Sequence, residues 1–324
     1  MAIETTLIIG AGMAGLMAAE RLQAAGVAVT VLDKGRSVGG RMATRRLESA
    51  QGIATFDHGA QYFTIQHPQM ERFLHNWQAA GVIRPWSDGF YSADGVPHFN
   101  GVPRYIGTTG MTALPKYLAQ SLPVISGVRV VSVEWRGGFV ARAEDGRIFS
   151  AESLLLTPPV PQSLTLLDSG NITLPAAERQ ALELIAYDPC LALLVMPAGP
   201  VRIPAPGGLW PVSAEPASWL ADNRQKGISD QPAVTVHAGR LYSRAHFDSD
   251  SATIAADLIR PLQEWLGVPV LDHQLQRWRY SIPVQLHPER TQRVTAPGPL
   301  WFAGDAFAGP RVEGAALSGL AAAE

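Results

Sequence analysis

Cysteine is all but missing from this chain: its 324 residues include one, Cys190. That excludes an intrachain disulfide and a CxxC redox pair and suits a reducing compartment, so a cytoplasmic location is expected. Lysine is scarce too. Only Lys34, Lys116 and Lys226 occur, so no lysine-dependent chemistry can lie beyond residue 226. No sign of charge dominates, with 26 Lys plus Arg against 28 Asp plus Glu and a net charge of −2. Such a balance leaves no broad electrostatic footprint for nucleic acid or an anionic membrane, and neither is expected as a partner. No run of about 18 apolar residues is present, and the first strand starts too early to leave room for a signal peptide. The histidines lack metal-ligand spacing, so no metal site is expected. What the chain has in quantity is core, with 47% hydrophobic and 17% charged residues, which fits a globular α/β protein of about two domains.

Thr5 to Asp33 reads as one complete βαβ unit built for the pyrophosphate of a dinucleotide. The apolar strand Leu7-Ile8-Ile9 runs into Gly10-Ala11-Gly12-Met13-Ala14-Gly15, and a helix with Ala18, Ala19 and Leu22 on its packing side follows. Gly26 closes that helix, and a second strand from Val27 to Leu32 ends on the acidic Asp33, about twenty residues after the first glycine. Gly10 permits the tight turn, Gly12 lets the backbone approach the phosphates, and Gly15 lets helix and strand pack closely. The helix N-terminus offers free N–H groups and a positive dipole end to the phosphates, and Asp33 can accept hydrogen bonds from a ribose.

Lys34-Gly35-Arg36-Ser37-Val38-Gly39-Gly40-Arg41-Met42 follows. Taken alone it is either a solvated basic loop or a phosphate-facing one, in which Gly39 and Gly40 allow close approach and Arg41 supplies a cation. Near the C-terminus, Leu300-Trp301-Phe302-Ala303-Gly304-Asp305 reads as a short buried strand ending in Gly-Asp, and Arg311-Val312-Glu313-Gly314-Ala315 leads into a helix that begins near Gly314. Leu154-Leu155-Leu156-Thr157-Pro158 is an apolar strand ending in a Thr-Pro turn. Together these segments resemble the flavin-containing amine oxidases. The resemblance implies non-covalent FAD, with the Gly39-Gly40-Arg41-Met42 loop along the pyrophosphate and flavin, Asp305 on the ribityl chain and the helix N-terminus facing the flavin ring. It also implies a backbone contact from Val130 to adenine, and it puts Ala60, Gln61 and Tyr62 beside the cofactor.

Disulfide reductases would need a second nucleotide fingerprint and a cysteine pair, and amine oxidases of this fold carry a lysine on a late strand; neither is here. The segments Asp57-His58-Gly59-Ala60-Gln61-Tyr62-Phe63-Thr64, Trp219-Leu220-Ala221-Asp222-Asn223-Arg224, His237-Ala238 and Gln276-Arg277-Trp278-Arg279-Tyr280 resemble renalase, particularly its bacterial relatives. That resemblance implies oxidation of 2- and 6-dihydro isomers of NAD(P)H to NAD(P)⁺, with hydride passing to flavin N5 and dioxygen returning hydrogen peroxide. It assigns Tyr62 and Trp278 to ring packing, His237 to the carboxamide and Gln61 to the same pocket. The residues alone leave Tyr62 and Trp278 open to a plain core role, and His237, in the apolar strand Val234-Thr235-Val236-His237, to that of a satisfied core histidine. His58 beside Asp57 packs or caps near the FAD loop. Two further functional readings stay open: an amine oxidase or desaturase-like oxidoreductase, and a non-catalytic FAD-binding or redox-sensing protein.

The expected architecture is α/β, of the p-hydroxybenzoate hydroxylase and amine oxidase type. A discontinuous Rossmann-like FAD domain takes residues 1–58, 104–160 and 285–324, and a mixed-sheet α+β substrate domain takes 59–103 and 161–284. Helices are expected over Met70–Trp77 and Ile254–Leu266, both apolar at helical spacing, and a surface loop over Pro197–Pro211. Monomer and dimer are both compatible with the sequence.

Overall fold

The computed structural model describes residues 4–49, 52–211, 213 and 215–324. The chain forms two compact units, each from discontinuous segments: residues 1–40, 114–186 and 283–324 in the first, 41–113 and 187–282 in the second.

The first unit is built on a six-stranded sheet in the order Gln292–Val294, Leu300–Phe302, Ser153–Leu156, Thr5–Ile9, Ala28–Asp33, Val124–Ser126. All neighbours run parallel except the first pair. The central strands are apolar on both faces, as a sheet covered on both sides requires: Leu7, Ile8, Val31, Leu154 and Leu156 are fully buried. Helix Met13–Ala24 follows the first strand, and helix Val312–Ala322 lies so close to it that a side chain at Gly319 would overlap the Ala14 carbonyl. A three-stranded antiparallel sheet, Val130–Trp135, Phe139–Ala143 and Ile148–Ala151, completes the unit with helices Val160–Ser169 and Ala176–Glu183.

The second unit holds a seven-stranded sheet in the order Val270–Gln285, Ala186–Pro197, Val234–Ala238, Ala217–Asp222, Gly208–Trp210, Ile83–Ser92, Pro97–Gly107. Alternation along its strands assigns the faces. Leu191, Leu193, Val195, Leu209, Leu220, Val234 and Val236 point to one side, where Ile254, Ala255, Leu258, Leu262 and Leu266 cover them. Leu194 and Met196 point to the other, against Ala54 and Phe56 of the hairpin Thr44–Ser49/Gly52–Asp57.

The unit boundaries depart from those expected, for local reasons. Residues 41–58 join the second unit because the hairpin hydrogen-bonds into it, Thr55 N–H donating to Ser229 Oγ at 3.0 Å. Residues 104–113 stay with the strand Pro97–Gly107, which pairs with Ile83–Ser92. Residues 161–186 fall in the first unit, where Gly170 abuts the Val133 backbone so closely that no side chain would fit. The expected helices appear as Pro68–Ala79 and as Ser251–Ile259 continued by Arg260–Leu262 and Gln263–Leu266. The Pro197–Pro211 stretch contains a short strand, Gly208–Trp210.

Candidate active site

The first unit presents a cradle at the C-terminal ends of its central strands. Gly10 turns out of the first strand with φ +104°, and its N–H donates to Leu32 O at 2.7 Å. A side chain at Gly15 would overlap the Gly10 carbonyl, so this glycine sets the packing of helix on turn. Gly12 differs. A Cβ there would meet no protein atom within 4 Å, and Gly40 approaches its Cα at 3.6 Å only through a hypothetical Cβ of its own. The space above Gly12 and the free N–H groups of the first helical turn, Met13, Ala14 and Gly15, therefore fit a pyrophosphate. Gly39 N–H donates to Ala11 O at 2.8 Å and docks the glycine loop on the fingerprint.

Asp33 is a strut as well as an acceptor. Its Oδ2 receives the Ala11 N–H at 2.7 Å and its Oδ1 the Gly35 N–H at 2.6 Å, and a carboxylate oxygen retains a second lone pair for a ribose hydroxyl. Other expected cofactor residues have different partners. The Thr157 hydroxyl reaches the carbonyls of Ile9 at 2.9 Å and Gly10 at 3.0 Å, so it clamps the glycine turn. Lys34 is exposed and reaches Gln162 Oε1 at 3.4 Å. Val130 is the half-buried first residue of the three-stranded sheet, opposite Ala143. Gly304 donates its N–H to Ser318 Oγ at 2.9 Å, and the buried Asp305 opens a short helix, Asp305–Ala308, where a loop was expected. The last helix begins at Val312 rather than at Gly314, after Arg311 at φ +94°; Gly314 and Ala315 lie in its first turn.

Arg41 and Met42 belong to the second unit, where Arg41 Nη1 donates to Ser281 O at 3.0 Å and the Arg41 carbonyl receives the Ala60 N–H at 2.8 Å. Met42 is buried. The segment Asp57–Tyr62 runs beside them and is braced from several sides. Asp57, fully buried, accepts from Thr44 Oγ1 at 2.5 Å, from the Met111 N–H at 2.7 Å and from Lys226 Nζ at 2.7 Å. Lys226 is fully buried too, and its ammonium stands 5.0 Å from the Trp86 ring centroid. Burial lowers the lysine pKa while Asp57 opposes that shift. The Asp57 carbonyl receives Gln61 Nε2 at 2.7 Å and Thr235 Oγ1 at 2.9 Å.

Three of the four residues expected on the substrate side converge on this segment. Trp278 stacks on His58 with centroids 5.3 Å apart and donates its indole N–H to the His58 carbonyl at 2.8 Å. The His237 ring bonds the His58 backbone and stands 3.4 Å from Gln61 Nε2. His237 thus braces the 57–62 segment from the strand Val234–Ala238. Tyr62 goes elsewhere. It joins an aromatic cluster with Trp86, Phe90 and Trp219.

That cluster occupies the same sheet face as His237, since Trp219 and His237 are cross-strand partners. Gly208 makes it possible: a side chain there would overlap both Phe90 and Trp219. Arg104 closes the cluster, its guanidinium 5.6 Å from the Tyr62 ring and 5.5 Å from Phe90. Among the described residues, four of the six buried polar side-chain atoms without a partner lie on or beside this face: His58 Nδ1, Gln61 Oε1, Arg104 Nε and Trp219 Nε1. Native proteins rarely leave such atoms unsatisfied. Asp57 with Lys226, and Arg104, escaped the sequence reading. The only available signal was Lys226 itself, one of three lysines in the chain.

Burial drives both histidines down to about 4, aided at His58 by Arg45 and at His237 by His58. Each folded pKa lies below the unfolded value of 6.5, so the unfolded chain binds more protons across that interval. Stability should therefore fall as pH drops from about 6.5 toward about 4, with no contribution from these groups above it. Urea midpoints across this range test it: His237→Gln should flatten part of the slope, and an unaltered slope would mean that the ring titrates as if exposed.

Residues 8–77 match the model of an NAD(P)-binding Rossmann-like domain and residues 79–324 that of the flavin containing amine oxidoreductases. The chain belongs to the flavin-containing amine oxidoreductase family. It is an FAD-dependent oxidoreductase. Solved structures share the fold across nearly the whole chain. One assigned as a protoporphyrinogen oxidase from Exiguobacterium sp. 255-15 superposes with TM-score 0.75 at 12% identity, covering 99% of this chain and 98% of its own. A putrescine oxidase bound to putrescine gives 0.71 at 16%, with coverage of 99% and 98%. A CLA-producing fatty acid isomerase from P. acnes gives 0.70 at 14%, with 98% and 97%. At these identities the likeness is one of fold. Among the described residues no helix is long and apolar enough to cross a membrane, and no group of three metal-ligating side chains occurs.

Proposed function

We propose that this protein oxidises dihydronicotinamide nucleotides of the 2- and 6-dihydro type, with dioxygen as the final acceptor. The observation that carries the reading is the character of the sheet face around Tyr62, Trp219 and His237. It offers flat rings and two histidines held neutral, and its one lysine is tied to Asp57. A dihydropyridine needs no base, because it aromatises by losing hydride, and orientation of the ring supplies most of the acceleration. Bound FAD, held non-covalently, supplies a two-electron acceptor that dioxygen can reoxidise. The balance is one dihydropyridine, one proton and one dioxygen giving NAD(P)⁺ and hydrogen peroxide.

The chain's own residues orient the donor. Tyr62 and the exposed side of Trp278 pack the ring, while Trp278, His237 and Gln61 hold the 57–62 segment in place. Cys190, the one thiol available for a covalent flavin link, is buried and pushed up to about 12 by that burial. An amine substrate is disfavoured by Arg104, a cation on the face that an ammonium would have to approach.

Anaerobic stopped-flow absorbance tests the reading. The dihydro isomers should bleach the flavin about 10–100-fold faster than ordinary NADH or benzylamine, and admission of air should restore the colour with peroxide formed. Equal bleaching by benzylamine would favour the amine oxidase reading. A flavin that none of these donors reduces would favour a binding or sensing role.

A further inference from the structure

The two cations on the aromatic face are treated differently by their surroundings. Lys226 is neutralised by Asp57 at 2.7 Å. Arg104 is 7% exposed, yet among the described residues no carboxylate pairs with it. Its Nη1 donates to Asn100 Oδ1 at 3.2 Å and to Val102 O at 3.0 Å, while Nε has no acceptor. A guanidinium stays charged at any ordinary pH, and burying it unpaired is costly. The Tyr62 and Phe90 rings offset part of that cost through cation–π attraction, but they leave the Nε hydrogen unsatisfied.

A second orphaned donor borders the same rings. Trp219, also 7% exposed, packs 4.9 Å from Phe90 and 6.0 Å from Tyr62, and its indole N–H has no acceptor. An indole nitrogen can only donate. The cluster thus holds one uncompensated positive charge and two unmet N–H groups beside a wall of aromatic rings. A neutral amide would satisfy a donor and leave the charge; an oxyanion attached to a flat ring system answers both.

We propose that Arg104, assisted by the Trp219 indole N–H, receives an oxyanion of the substrate, a phosphate or a carboxylate. This rests on the reading that the aromatic face is the substrate side, and it adds what that side selects for.

The test uses the FAD-loaded protein and four probes in two pairs: nicotinamide mononucleotide with its riboside, and benzoate with benzamide. Binding is read by calorimetry and by perturbation of the flavin absorbance. In one pair the anion should bind at least about tenfold more tightly than its neutral or phosphate-free partner, and Arg104→Gln should erase that preference while sparing the partner's affinity. A preference in the mononucleotide pair identifies phosphate, and one in the benzoate pair carboxylate. Trp219→Phe, which removes the N–H and keeps an aromatic ring, should weaken the anion by about three- to tenfold, and it decides the matter if the arginine variant does not fold. Equal binding within both pairs, or a preference that survives Arg104→Gln, overturns the proposal. An Arg104-dependent preference in a protein that fails to oxidise the dihydro isomers keeps the anion receptor and removes only the substrate reading above.

Discussion

Gly12→Val should give a folded, colourless protein. The position has ordinary extended geometry, φ −79° and ψ −177°, which valine adopts without strain. A Cβ there touches no protein atom within 4 Å, so packing is unaffected. The same side chain would occupy the space of the pyrophosphate and separate it from the first-turn N–H groups, removing the main anchor of the cofactor. Absorbance near the flavin band relative to protein absorbance after purification, together with circular dichroism, measures both halves of the claim. Gly15→Ala should do the opposite and lower thermal stability, because its methyl overlaps the Gly10 carbonyl. A yellow Gly12→Val protein would falsify the assignment of the cradle.

Asp57→Asn should cost about 3–5 kcal/mol of unfolding free energy, the usual penalty for stranding one partner of a buried ion pair. Lys226 would be left with the Trp86 ring and no counter-charge. Adding Lys226→Met should recover much of the loss, since a buried pair replaced by apolar groups is often close to neutral. A double-mutant cycle by urea denaturation gives the coupling. Additive losses would mean that the two groups do not depend on one another. Because the Asp57 carboxylate also accepts from Thr44 and from the Met111 N–H, the rescued double variant should fold and yet oxidise substrate poorly.

What the sequence discloses follows the range of the interactions. The fingerprint is local: strand, Gly10-Ala11-Gly12, helix and Asp33 lie within one βαβ unit, so residue order alone specifies the cradle. The aromatic face is the reverse case. Phe90, Arg104, Trp219 and His237 sit on four strands whose neighbours in the sheet are set by pairing across long stretches of chain, and no spacing rule reveals that they share a side. Tyr62 and Trp278 were visible as candidates, but which partner each would find depended on that register. His237 shows the limit most clearly. Its contacts with Gln61 and the His58 backbone depend on strand register rather than on any local spacing. The extent of the second unit is set in the same way, since the segment Asp57–Gln61 is anchored by Lys226, far along the chain.

The interleaving of segments also sets a timetable for synthesis. The strand Thr5–Ile9 is made well before its sheet gains the strand Leu300–Phe302, and the helix Met13–Ala24 well before it gains its close neighbour Val312–Ala322. Until then the nascent cradle has an apolar flank exposed to water or to a chaperone. The first unit therefore closes only after residues 283–324 have been made, and in cells starved of flavin proteases should attack it first around the glycine turn.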